Sequence, residues 1–163
     1  MTTIAQRGQF PHVLLIEDNP GDATLISLAF KKAELRSKIS IAQTGENGLA
    51  MLAGEGDQPQ IPNPDIILLD LNLPRMHGLE FLKRVKNDPK LAVIPVIVLS
   101  SSDAESDVAA SYLGHAVGFI TKPIMLDDYD EVVAGISTYW FKLVQTLAAD
   151  DIPSAARPVR TGT

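Results

Sequence analysis

Asp65-Ile66-Ile67-Leu68-Leu69-Asp70-Leu71-Asn72-Leu73-Pro74 is the stretch that decides the fold. Ile66 to Leu69 are bulky and apolar without interruption, and the next residue is a carboxylate. A run this short and this apolar predicts a strand buried on both faces of a parallel sheet. Ligands of open parallel sheets collect at the carboxyl ends of the strands, and Asp70 stands at that end. Pro74 stops the ladder from continuing. Asp70 is therefore the candidate reactive group.

The same grammar recurs on either side. His12-Val13-Leu14-Leu15-Ile16 runs straight into Glu17-Asp18. Asn19-Pro20-Gly21 reads as a turn, Asp22 as a helix cap, and Leu25, Ile26, Ala29, Phe30 and Ala33 follow at helical spacing. Ile39 to Gln43 reads as a short strand, and Thr44-Gly45 opens a helix through Leu49 and Leu52. Gly54 to Pro64, rich in Gly and Pro, reads as a long loop. Past Pro74, Gly78 to Val85 is amphipathic and closed by Asn87-Asp88-Pro89. Ile94 to Leu99 predicts a buried strand leading into Ser100-Ser101-Ser102-Asp103, where Ser102 or Asp103 could cap a helix over Glu105 to Leu113 that Gly114 ends. Gly118 to Thr121 is the last strand, Lys122-Pro123 follows it, and a final helix begins near Met125.

Strands and helices thus alternate strictly, which predicts an α/β domain with a parallel sheet covered on both faces. Right-handed crossovers and five strands suggest the doubly wound order 2-1-3-4-5, with a crevice between the first and third strands. A length of 163 residues fits one domain: a loose arm over 1–11, a folded domain over 12–148 and a polar tail over 149–163. The chain has no cysteine, which excludes a disulfide framework and thiolate metal sites. A net charge of −6 argues against nucleic-acid binding. No secretory signal and no span long enough for a bilayer can be read, so a soluble cytoplasmic protein is expected.

The strand ends carry the chemistry. Glu17-Asp18, Asp70, Ser100 and Lys122 all fall on one edge if the sheet is parallel. Carboxylates that close repel one another, and a divalent cation relieves them. Oxygen ligands without His or Cys point to Mg²⁺. Taken singly, each has a plainer explanation. Glu17-Asp18 serves as well to cap a helix, Ser100 to make a turn, and Lys122 as an exposed lysine. Their convergence is what favours a site. His12, His77 and His115 lack metal-ligand spacing and read as structural or exposed.

Together, Glu17-Asp18, Asp70 within Leu-Leu-Asp-Leu-Asn-Leu-Pro, Ser100, and Lys122-Pro123 with Phe119 three residues earlier resemble the receiver domain of two-component response regulators. The likeness covers about residues 12 to 145. The strand order of that flavodoxin-like family is the order suggested above, so the two are a single expectation. Leu-Asp-Leu-Asn-Leu-Pro-Arg, the serine-rich loop and Tyr139-Trp140-Phe141 look most like the stand-alone regulators paired with bacterial phytochrome histidine kinases.

The resemblance implies roles. Asp70 accepts a phosphoryl group from a histidine kinase. Asp18, Asp70 and the backbone carbonyl of Asn72 bind Mg²⁺, with Glu17 acting through water. Ser100 and Lys122 bind the phosphoryl oxygens, Phe119 is the switch aromatic, and the bond before Pro123 is cis. The chain departs from the family's commonest pattern at Glu17 (more often Asp), His77 (often Asp) and Ser100 (more often Thr); none removes the acceptor chemistry. The rival readings are an aspartyl-nucleophile phosphatase of the haloacid dehalogenase type and a phosphorylation-independent interaction domain. The phosphatase needs an acid two residues after the nucleophile, where this chain has Asn72. The regulator is thus expected to signal by a conformational switch, not as an enzyme beyond slow self-dephosphorylation.

Leu126, Tyr129, Val133, Ile136, Trp140, Leu143 and Leu147 repeat at steps of three and four, a heptad seam. A helix that long outruns a strand of ordinary length, and Val132, Tyr139, Phe141 and Val144 lie off the seam. A homodimer through the last helix, at Tyr139, Trp140, Leu143 and Leu147, is the expectation.

Overall fold

The computed structural model describes residues 12–33, 38–54, 61, 63–101 and 104–150, with the side chains of 126 and 140–150 outside the description. Five parallel strands, β1 (His12–Ile16), β2 (Lys38–Ala42), β3 (Ile66–Leu69), β4 (Val96–Ser100) and β5 (Gly118–Thr121), pair in the order 2-1-3-4-5. The helices are α1 (Pro20–Lys32), α2 (Gly45–Ala53), α3 (Gly78–Asn87), α4 (Glu105–Leu113) and α5 (Tyr129–Asp150), the last preceded by a 3₁₀ turn at Leu126–Asp128. The register aligns Ile16 with Leu69 and Ser100 with Thr121. The functional strand ends therefore share one edge.

Two apolar cores flank the sheet because successive strand residues face opposite ways. Leu14, Ile16, Ile67, Leu69, Val96 and Val98 pack with Met51, Leu52, Phe81, Leu82 and Val85 of α2 and α3. Val13, Leu15, Ile66, Leu68, Ile97 and Leu99 pack with Ala23, Ile26, Ala29 and Phe30 of α1 and with Tyr129, Val132, Val133 and Ile136 of α5. The first half of the seam is thus core. Val132, placed off the seam by its spacing, is buried with it.

Local chemistry explains the boundaries. Asn19, not Asp22, caps α1: its Oδ1 accepts from the Asp22 N–H at 3.1 Å. Pro20, read as a turn residue, occupies the first helical position, where its missing N–H costs nothing. Thr44 caps α2, and Gly54 ends it in the left-handed conformation at φ 72°. His77 takes the capping place of α3, Nδ1 accepting from the Leu79 N–H at 3.2 Å, which gives that histidine a structural role. Ala104 stands at the start of α4 without a side-chain cap of its own; Ser102 and Asp103, expected to cap it, lie outside the described residues. Gly114 closes α4 with an ordinary negative φ of −79°, and the position is tight. A Cβ there would meet Leu82 at 2.8 Å, and the left-handed residue is the next one, His115, at φ 71°.

Candidate functional site

Glu17 ends β1 with its backbone N–H bonded to the Ala42 carbonyl at 2.9 Å, which draws its side chain into the edge between β1 and β3. The carboxylate is buried. Oε1 accepts from the Asn19 N–H at 3.1 Å, and Oε2 lies 2.6 Å from Lys122 Nζ. Asp18, one residue on, is exposed. Asp70 continues the ladder past β3 through a bond to the Ile16 carbonyl at 3.0 Å. Only 4% of it is exposed. Its Oδ1 accepts from the Asn72 N–H at 3.2 Å and its Oδ2 lies 3.3 Å from Lys122 Nζ. Glu17, Asp18 and Asp70 each offer an oxygen within 4.8 Å of the others.

The turn behind Asp70 is tight. Gly78 N–H donates to the Leu71 carbonyl at 2.9 Å, and a Cβ at Gly78 would run into the Asp70 carbonyl oxygen and the Leu71 Cα. Arg75 adopts a left-handed φ of 63° and pairs through Nε with Glu46 Oε2 at 3.1 Å, tying this turn to α2.

Ser100 is wholly buried at the end of β4, and its carbonyl accepts from the Lys122 N–H at 2.7 Å. That bond sets the root of Lys122 beside Ser100. Phe119 is half-buried in β5 and packs against the core that includes Val98. Lys122 runs back over the edge and meets three carboxylates: Glu17 at 2.6 Å, Asp22 at 3.0 Å and Asp70 at 3.3 Å. Its side chain is 8% exposed. Desolvation works against its charge, but the hydrogen bond and charge of Glu17, then Asp22 and Asp70, outweigh it and hold its proton above the ordinary lysine range. Burial pushes the Glu17 carboxyl up to about 7; the hydrogen bond from Lys122 pulls it back and the Asp70 charge adds to the rise.

Glu17, Asp18, Asp70, Ser100 and Lys122 thus converge as the strand order requires. Three findings differ from the sequence reading. Glu17 contacts the ammonium directly. Asp22, read as a cap, is an ion-pair partner of Lys122; its place four residues after Asp18, in the first turn of α1, was the available signal. The Lys122–Pro123 bond is trans, since no peptide bond among the described residues is cis. Trans is the intrinsically favoured form by about 0.5–1 kcal/mol, and Lys122 reaches its three partners from it. Of the residues expected at a dimer contact, Tyr139 packs half-buried against its own core, and the side chains of Trp140, Leu143 and Leu147 lie outside the described residues.

Comparison with known proteins agrees with this geometry. The family model described as the response regulator receiver domain matches residues 13–134. Response regulator Rcp1 of a Synechocystis strain is 38% identical, over 84% of this chain and 93% of that protein. The structure of the phosphorylated cyanobacterial phytochrome response regulator RcpA superposes with a TM-score of 0.76 at 37% identity, over 82% of this chain and 96% of that one. The Mn²⁺-bound form of Rcp1 gives 0.73 at 38% identity, over 80% and 94%. The bacteriophytochrome response regulator AtBRR gives 0.65 at 33% identity, over 85% and 93%. With its acids just past β1 and β3, its serine closing β4 and its lysine just past β5, the chain belongs to the response regulator receiver-domain family.

Proposed function

We propose that Asp70 is a phosphoacceptor that takes a phosphoryl group from the phosphohistidine of a sensor histidine kinase. The observation that carries the reading is a carboxylate 4% exposed at the end of a wholly apolar strand, 3.3 Å from the Lys122 ammonium. An Asp70 Oδ attacks phosphorus, the P–N bond breaks, and its electron pair stays on the imidazole, which takes up a proton. Lys122 neutralises charge on the transferred oxygens, and Ser100, rooted beside it, donates a hydrogen bond to one of them. The acyl phosphate adds about −1.5 to −2 of charge. Movement of Ser100 toward it, with Phe119 turning inward, is the conformational switch.

The acidic trio suits a hard divalent cation, since all its donors are oxygen and each carboxylate already faces the others. Asp18, Asp70 and the Asn72 carbonyl would hold Mg²⁺, with Glu17 through water. The ion supplies neutralisation of the charge that a carboxylate and a phosphoryl group bring together.

The names of Rcp1, RcpA and AtBRR support a kinase of the phytochrome class as partner. A net charge of −6 supports an output through protein contact rather than nucleic acid. No described helix is long and apolar enough to cross a membrane, which is compatible with a cytoplasmic place. The regulator's role is signalling rather than turnover, with the folded unit at 12–148. Self-association through α5 would appear in light scattering as a dimer; a monomer at high micromolar concentration, with and without phosphorylation, removes it. Incubation with acetyl phosphate and Mg²⁺ followed by intact mass measurement tests the main reading. One added phosphoryl group, lost in Asp70→Asn, is expected. No adduct from any small donor or histidine kinase overturns it.

A further inference from the structure

We propose that Asp22 is a positioning residue for Lys122: it is the carboxylate that keeps the ammonium in place when a cation occupies Glu17, Asp18 and Asp70. This rests on the phosphoacceptor reading above and concerns a residue outside the acceptor set.

Lys122 offers three N–H donors, and the structure gives it three carboxylates, at 2.6 Å (Glu17), 3.0 Å (Asp22) and 3.3 Å (Asp70). Glu17 and Asp70 belong to the trio whose oxygens lie within 4.8 Å of one another. A cation held by that trio and the ammonium share the Glu17 and Asp70 carboxylates, and like charges at that range repel. Asp22 stands apart from the trio, on α1. Its carboxylate is not spent on the helix end, because Asn19 is the cap and only the Asp22 backbone N–H takes part there, at 3.1 Å. A helix N-terminus favours a negative charge in its first turn. The pair is sheltered, with side-chain exposures of 8% for Lys122 and 31% for Asp22.

Tyr129, at the start of α5, is buried in the adjoining α1/α5 core with 3% of its surface exposed. Burial first, and the Asp22 charge second, keep its hydroxyl proton on above the ordinary phenol range, so it adds no charge beside the pair.

When the inner carboxylates are taken, Asp22 leaves the ammonium one hydrogen-bonded counter-ion at the end of β5, within reach of oxygens on Asp70. Without the Asp22 charge, Lys122 holds Glu17 and Asp70 more closely, and an incoming cation must displace it.

The test is Mn²⁺ binding to the full chain, read as free Mn²⁺ by electron paramagnetic resonance, for wild type, Asp22→Asn, Lys122→Gln and the double variant. Asp22→Asn is expected to weaken binding roughly two- to fivefold, the size of a partly exposed charge pair. In the Lys122→Gln background the same change is expected to have a smaller effect, leaving only the loss of a neighbouring charge. An equal or larger effect there shows Asp22 acting on the cation directly and overturns the proposal. So does no effect in the wild-type background, or a wild type that binds no Mn²⁺.

Lys122→Gln leaves three acids facing one another and destabilises the fold by itself, so Asp22→Glu gives an independent readout. It is expected to bind within about twofold of wild type, since it keeps the charge; binding as weak as Asp22→Asn overturns the proposal. Intact masses after acetyl phosphate treatment separate the two levels. A phosphorylated wild type with no coupling in the cycle sinks only the role of Asp22. An unphosphorylated wild type sinks the acceptor reading, while the Mn²⁺ cycle still decides where Lys122 is held.

Discussion

Strand β3 and helix α4 sit on neighbouring segments of the same fold and are packed in opposite ways. All four residues of β3 are wholly buried, with a strand on each side. In α4 the one buried residue is Ser111, whose Oγ donates to the Asp107 carbonyl at 2.7 Å, while Leu113 and Tyr112 are 81% and 51% exposed. The contrast maps onto the site. Glu17, Asp18 and Asp70 follow the buried strands β1 and β3. Ser100 leads into α4, and Lys122 ends the half-buried edge strand that follows it. Regions with few buried apolar contacts open and shift at low cost. The fold thus roots the acids and the hydroxyl on buried strands, while the chain that leaves Ser100 enters the sparsely packed α4. A switch needs that division, because a new charge on Asp70 shifts an equilibrium only where two arrangements lie close in energy.

The contrast breaks first at Leu68. Its side chain fills the α1/α5 core with no exposure, so Leu68→Ala removes buried volume that rigid neighbours cannot refill. A loss of about 2–5 kcal/mol is expected, read from urea unfolding. A loss under 1 kcal/mol would mean that β3 yields as readily as α4 and that the acids are not rigidly mounted.

What could be read from the sequence follows the same line. An apolar run such as Ile66 to Leu69 has one reading at the centre of a parallel sheet, and a carboxylate closing it is conspicuous for the same reason. The shared edge followed from alternation into a parallel sheet, whereas the strand order was a single expectation with the resemblance to the receiver family. Boundaries were less legible where local side chains compete: Asn19 and Asp22 both can cap, and Asn19 won because Pro20 fixes the first turn. The role of Asp22 was hidden for a different reason. Its partner Lys122 is 100 residues away, and periodicity reports only which face a residue takes, not what it meets there. Val132 looked surplus to a heptad seam, but a helix lying on a sheet buries a wider stripe than a coiled coil does. Pro123 was assigned cis by resemblance, and no local pattern bears on that choice.

A second expected effect is smaller and depends on pH. The Glu17 carboxyl stands at about 7 in the fold against an ordinary 4.5. The folded chain therefore binds this proton more tightly than the unfolded chain does. Stability from this group is greatest below 4.5, falls as pH rises toward 7, and is flat above. Unfolding in the presence of a chelator at pH 5 through 8 should show wild type losing about 1–3 kcal/mol relative to Glu17→Gln across that window. Added Mg²⁺ should flatten the difference, since a cation favours the ionised acid. A difference that grows more favourable to wild type with rising pH would mean that Lys122, at 2.6 Å, outweighs burial and keeps Glu17 charged.

The smallest expected effect lies at the other pole. Leu113 ends α4 with 81% of its surface in solvent, so truncation to Ala gives up little that folding had removed from water. Leu113→Ala should change stability by no more than about 0.5 kcal/mol. The measurement is sharpest as a series in protein concentration. At the lowest concentrations measured, wild type and variant should unfold together. If they part as concentration rises, with wild type gaining and Leu113→Ala not, the exposed face of α4 is being covered by a second copy, and the weakly packed side of the molecule is then where association and phosphorylation meet. If they part already at the lowest concentration, α4 is held by its own chain more firmly than its exposed side chains indicate, and the division between a fixed and a movable half fails.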